Sequence, residues 1–172
     1  MGMAAAELGA ITVGFYANEA PELLYNINQD VTGARLTVTY GRVGGLARDL
    51  PADFAPRMSA ALAKIRATLT DTEKLLERNR IFIDRMVGVG EITPEGAGSC
   101  VLTGPMLRAT GVKRDLRKDD PYMLYDRFDF DVPVGTKGDN FDRFAVRFEE
   151  VRQSMRIIEQ ALASLPPGPV SI

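Results

Sequence analysis

At 172 residues with 45% apolar side chains, the chain is long enough for one domain with its own core. A net charge of −2 provides no basic face for nucleic acid or an acidic membrane surface. There is no histidine and a single cysteine, Cys100. That excludes Ser–His and Cys–His nucleophilic catalysis, histidine metal ligation and an internal disulfide, and supplies one thiolate where iron–sulfur and zinc sites need several.

Residues 1–18 form an alanine-rich, apolar opening that reads as a helix with its beginning missing, and Met1–Gly2 resembles an accidental start. Residues 19–32 predict a second helix. Pro21 fits its first turn, Glu19 and Glu22 suit the positive end, and Leu23, Leu24, Ile27 and Val31 share one face. Gly33 ends it. RLTVTY at 35–40 alternates apolar and polar and predicts a short strand. The GRVGG run at 41–45 follows, with glycines that permit positive φ or close backbone approach. Arg42 within it can pair with Asp49 or Asp53.

From Pro51 to about Arg80, Phe54, Met58, Leu62, Ile65, Leu69 and Leu76 recur at helical steps, so a long helix is expected. Thr93 and Pro94 open a short helix as N-cap and first residue. Cys100, beside Val101 and Leu102, reads as a buried structural thiol. Residues 103–133 then follow no helical period: Gly104, Pro105, Gly111 and Pro121 punctuate a run rich in arginine and aspartate. Its apolar anchors argue for an ordered, partly buried loop whose arginines must find carboxylates or carbonyls. Arg114, Asp115 and Arg117 are expected in structural ion pairs. Phe128, Phe130 and Val132 alternate as in a half-buried strand, which puts Asp129 and Asp131 together on the wetter face. Two carboxylates so placed suit a metal or an acid–base pair, and more simply partners among Arg108, Arg114 and Arg117. Asp139 or Asn140 caps the longest helix, where Phe141, Phe144, Phe148, Val151, Met155, Ile158, Leu162 and Leu165 draw a near-heptad seam. Helix 51–80 is its expected mate.

The words GPMLRATGV, DLRK, PY, YD, DFDVPVG and GDNFDR, in that order, together with NRIFIDR, VGVG, RQSMRIIEQAL and PPGPV, resemble the D subunit of the proton-pumping NADH:quinone oxidoreductase, respiratory complex I. The resemblance runs along nearly the whole chain. It implies a fragment from the middle of a longer subunit that, with an iron–sulfur partner subunit, forms the pocket where quinone is reduced. It implies that this chain binds no cofactor alone: quinone and a 4Fe–4S cluster are held with partner subunits, and NADH is oxidised elsewhere. The implied partners are the iron–sulfur subunit, other peripheral-arm subunits and the membrane arm, with no nucleic acid and no transmembrane segment in this chain. The implied location is peripheral, on the cytoplasmic face of the cell membrane. Glu7 stands where relatives carry an aspartate that pairs with a histidine near the quinone headgroup; its plainer reading is a solvated helix carboxylate. Arg42 and Arg108 are implied near the partner's cluster. Thr37, Val38 and Thr39 stand where many relatives carry histidine, and only Glu22 survives of an Arg-Glu-Arg-Glu run at 19–22.

The expected fold is mainly α: the helical portion of the hydrogenase-like large subunit, two long antiparallel helices with a small β element from 35–40 and 127–133. One domain over 1–172 divides into N-terminal helices at 1–33, a strand and glycine loop at 34–50, a long helix at 51–80, an irregular Arg/Asp-rich loop and strand at 81–138, and a long helix at 139–165. The function implied is quinone reduction within a multisubunit, proton-translocating enzyme, the isolated chain being inactive and no residue of it catalytic. A large-subunit fragment of a membrane-bound nickel–iron hydrogenase or deazaflavin-dependent quinone reductase, and an inactive scaffold, are the alternatives. If the ends are cut edges, Ile11, Val13 and Phe15 should form an exposed apolar patch.

Overall fold

A computed structural model describes residues 2–171. Helix α1 (Gly2–Glu7) turns through Gly9, at φ +98°, into α2 (Ile11–Thr32). Small residues draw α1 back onto α2: a Cβ on Gly2 would stand 2.7 Å from that of Ala17, and one on Gly14 3.2 Å from that of Ala6. The helix expected to begin near Glu19 therefore begins at Ile11, and Pro21 lies inside it rather than in its first turn. Proline there forfeits one backbone hydrogen bond, and the helix continues because its inner face is packed on both sides of the gap by Val13, Ile27 and Val31. Val13 is thus buried, whereas Ile11 and Phe15, one turn apart, are 59% and 72% exposed. Gly33 closes α2 at φ +85°, its N–H bonded to the carbonyl of Gln29.

Residues 35–40 form no strand. Alternation alone provides no partner for a ladder, and Arg35 instead folds back to Glu22, Asn26 and Gln29 on α2. The β element is a hairpin of β1 (Gly41–Arg42) and β2 (Gly45–Leu46), with Arg42 opposite Gly45. A Cβ on Gly45 would meet the Val170 carbonyl oxygen at 2.2 Å, because the C-terminal tail crosses the hairpin there.

Helix α3 (Phe54–Glu77) and the short α4 (Arg80–Met86) are followed by α5 (Pro94–Ser99), α6 (Gly104–Arg108), α7 (Leu116–Asp119), a 3-10 turn (Tyr125–Arg127) and α8 (Asn140–Ala163). Thr93 caps α5 by accepting from the N–H of Gly96. Asp139, 1% exposed, caps α8 from the N–H of Asp142 and accepts also from Gly88, which ties the helix start to the end of α4. The expected mates α3 and α8 are antiparallel: Glu73 pairs with Arg152 and Arg66 with Glu159, over a shared core of Leu62, Ile65 and Met155. They do not make the bundle alone, since α2 supplies Ala20, Leu23 and Leu24 to the same core. A second cluster, with Leu76, Phe82, Phe144 and Phe148, closes the end where α1 and α4 meet α8. Each such side chain, buried, contributes roughly 1.5–3 kcal/mol. Among the described residues, no helix is long and apolar enough to cross a membrane.

Residues 128–133 are extended but pair with no strand. Their inward alternation holds, since Phe130 is 2% exposed. The ladder is replaced by α8: the N–H groups of Asp129 and Asp131 donate to the side chains of Gln160 and Gln153, seven residues apart on one face of the helix.

Candidate functional site

Two clefts carry Glu7, Arg108, Arg114, Asp115 and Arg117. The first, about 600 Å³, opens at the end of the bundle where α1 and α4 meet the start of α8. Its apolar wall is Leu8, Met86, Met106 and Phe144, and its polar groups are Glu7, Asn140, Arg143 and Arg147. Glu7 ends α1 and is exposed at the cleft. Arg85 on α4 holds the turn behind it by donating to the carbonyl of Leu8, at 2.8 Å.

Arg143 is buried and donates to the carbonyls of Gly138 and Gly90 and to Oδ1 of Asn140, each at 2.6 Å. Burial shifts its pKa below the usual arginine value, but arginine remains charged. Arg147 donates to the carbonyl of Arg143 at 2.9 Å. Neither guanidinium meets a carboxylate among the described residues. The cleft therefore couples apolar walls to two cations and one carboxylate, an arrangement that suits a flat, largely apolar ligand with polar or anionic oxygens. Sequence reasoning did not single out Arg143, Arg147, Met86 or Met106. Arg143 lies in the GDNFDR word, but only its contacts separate it from a surface arginine of α8.

The second cleft, about 640 Å³, lies between the end of α5, α6 and α7. Arg108 donates from Nε and Nη2 to one oxygen of Glu150, at 2.7 and 2.5 Å, and from Nη1 to the carbonyl of Arg114. Asp115 caps α7 and accepts from Nε and Nη2 of Arg117 at 2.9 and 2.6 Å, with Arg108 Nη1 at 3.7 Å. The hydrogen bonds from the Arg117 side chain, with Arg108 nearby, hold the Asp115 carboxyl below the usual aspartate range. Arg117 also lies 4.9 Å from the centroid of the Phe130 ring. Asp115 thus pairs with Arg117, whereas Arg114 makes no ion pair among the described residues.

Asp129 and Asp131 do share one exposed face, but both pair with Arg156 of α8 rather than with an arginine of the 108–117 loop. Their extended segment lies along α8, where Arg156 reaches both carboxylates. Cys100, expected buried, is exposed, because it sits at the C-cap of α5 where the chain turns outward. Among the described residues, no three Cys, Asp or Glu side chains converge as metal ligands.

Arg42 is exposed on the hairpin and makes no ion pair with Asp49 or Asp53; Asp53 pairs instead with Arg57. Its neighbour Tyr40 packs with Ile27 and Val31, toward the C-terminal end of α2. Glu7 lies by the opposite end of that helix, whose 22 residues span about 33 Å. The fold does not bring Glu7 and Arg42 into one site.

Residues 7–172 match the family model described as the respiratory-chain NADH dehydrogenase 49 kDa subunit. The chain is 54% identical over 167 residues to the NADH-quinone oxidoreductase D subunit 1 of Sorangium cellulosum, covering 96% of this chain and 41% of that protein. It is 49% identical over 172 residues to the D subunit of Myxococcus xanthus, covering 100% and 41%, and 44% identical to the D subunit of Methylacidiphilum infernorum, with the same coverage. The chain spans about two fifths of the length of these relatives. A match over nearly every residue, carried by a mainly helical fold with the expected long antiparallel pair, assigns the chain to the family of the 49 kDa subunit of respiratory-chain NADH dehydrogenase, the D subunit of NADH-quinone oxidoreductases.

Proposed function

We propose that this chain contributes one wall of the quinone-reduction site of an NADH:quinone oxidoreductase, next to the terminal iron–sulfur cluster held by a partner subunit. Family membership over residues 7–172 supports the reading, and one local observation carries it. Among the described residues, Glu7 is the single carboxylate lining a cleft whose other charged groups are Arg143 and Arg147 and whose walls are methionine, leucine and phenylalanine.

Reduction of a quinone by two electrons and two protons places negative charge on its oxygens before the protons arrive. Guanidinium groups held by fixed carbonyl contacts lower the cost of that charge without reorganising. Arg143, locked by three oxygens, is the preorganised cation, and Arg147, held by the carbonyl of Arg143, is the second. The apolar wall excludes water from the ring. Glu7 positions a neighbouring proton donor of the assembled site rather than delivering electrons. Electrons come from the partner's cluster, NADH is oxidised at another subunit, and the complex works peripherally on the cytoplasmic face of the membrane. The isolated chain turns over no quinone.

The test is a chimaera in which this chain replaces the matching segment of a relative's 49 kDa subunit inside the whole complex. Glu7→Ala should lower the quinone-reduction rate about tenfold or more, the scale of losing one group that supports proton transfer. Glu7→Asp should retain most of it. Unchanged rates in both variants, with the complex fully assembled, would refute the role of Glu7.

A further inference from the structure

We infer that Arg85 is a positioning residue for quinone reduction: from α4 it fixes the turn that carries Glu7, and α4 is the spacer that sets Glu7 against Arg143. The inference rests on the reading that Glu7 serves the quinone site, and it assigns a role to a residue that does not line the cleft.

The turn after Glu7 is closed partly by its own backbone. Gly9 stands at φ +98°, its N–H donates to the carbonyl of Ala6, and the N–H of Ala10 donates to that of Ala5. The carbonyl of Leu8 is left over. Among the described residues no backbone N–H reaches it, and its partner is Nη1 of Arg85, at 2.8 Å and 77 residues away in the chain. Leu8 and Ala10 also pack against the core that holds Phe82, Met86 and Phe144. Apolar contact of that kind carries no direction. The hydrogen bond does, and it orients the peptide group next to Glu7.

Arg85 has no competing partner. Its neighbour Asp84 pairs with Arg80, and Arg85 itself meets no carboxylate among the described residues. It is exposed, so it contributes little to the core.

The segment that follows Arg85 is tied to the other side of the cleft. The N–H of Gly88 donates to Oδ2 of Asp139 at 2.9 Å, and Asp139 caps the start of α8. The carbonyl of Gly90 accepts from Arg143 at 2.6 Å. Residues 85–90 therefore grip the turn of Glu7 at one end and the Arg143 guanidinium at the other, and Met86 between them supplies cleft wall. Support for a developing charge depends on such fixed separations, and a small misplacement weakens it.

The test uses the whole complex carrying the chimaeric 49 kDa subunit, with Arg85→Ala, Arg85→Lys, Glu7→Ala and the Arg85→Ala, Glu7→Ala double variant. Two rates are read: NADH oxidation with quinone, and with a soluble artificial acceptor that takes electrons before the quinone site. Arg85→Ala should lower the quinone kcat on the order of fivefold, as a misplaced group does, with the artificial-acceptor rate unchanged. Arg85→Lys, which keeps a charged donor, should retain most of the quinone rate. Added to Glu7→Ala, Arg85→Ala should cost nothing further, because it acts through Glu7. Equal losses in both backgrounds, a fall in the artificial-acceptor rate, or a parent quinone rate in Arg85→Ala while Glu7→Ala is impaired would each overturn the inference and leave the role of Glu7 standing. A parent quinone rate in Glu7→Ala would sink that role and the inference with it.

Discussion

Arg108 reaches from the irregular loop to the middle of α8 and spends two donors on one oxygen of Glu150, with both side chains largely withdrawn from water. The loop is fixed to the bundle through this contact. Arg108→Ala leaves a carboxylate in a poorly solvated position and should lower stability by about 3 kcal/mol. Arg108→Met with Glu150→Met should recover much of that loss, since an apolar pair needs no desolvation. Urea unfolding midpoints of the single and double variants check both values.

Asp115 makes stability pH-dependent in a definite direction. Its carboxyl is held below the usual aspartate range in the folded chain, so its contribution is fully present above the unfolded value, about 3.9. As pH falls below that value toward the lowered native one, the unfolded state binds the proton first and the contribution is lost. Thermal midpoints should therefore drop from about pH 4 downward, and Asp115→Asn should be less stable at pH 7 with a flatter acid limb. A wild-type acid limb identical to that of the variant would contradict the assignment.

Val101→Gly should stabilise the isolated chain. It relieves a left-handed β-branched residue at roughly 1–2 kcal/mol and forfeits part of that, roughly 0.5–1 kcal/mol, to the greater freedom of glycine when unfolded. A net gain of about 0.5–1 kcal/mol is expected, because an exposed side chain sacrifices little burial. Chemical denaturation of the two chains decides it. A loss of stability would mean that Val101 is packed within the chain.

The long helices were legible because burial recurs with the helical period: Phe144, Phe148 and Met155 lie inside as their spacing requires. Caps were equally readable, since Thr93 and Asp139 each do what their residue type does before a helix. Period-two alternation was readable only halfway. It placed Phe130 inward and Asp129 outward, but it could not tell whether a strand, two glutamines of a helix or nothing would satisfy the backbone. Pro21 misled because a proline suits a first turn, yet an extensive inner face carries α2 through it. The ion pairs of the loop were foreseeable in kind and not in partner. Asp115 found the neighbouring Arg117, whereas Asp129 found Arg156, contacts set by tertiary placement rather than by order along the chain. Glu7 was visible through resemblance alone, and the guanidinium groups that share its cleft became visible only with the fold.

The role proposed for this segment is as part of a working quinone site. The most direct test compares two rates in membranes whose complex carries the chimaeric 49 kDa subunit: NADH oxidation with quinone, and NADH oxidation with a soluble artificial acceptor that takes electrons before the quinone site. Both rates should stay close to those of the parent complex, and Arg143→Ala should abolish only the quinone rate. A complex that assembles and reduces the artificial acceptor normally, yet reduces quinone equally well with and without Arg143, would contradict it.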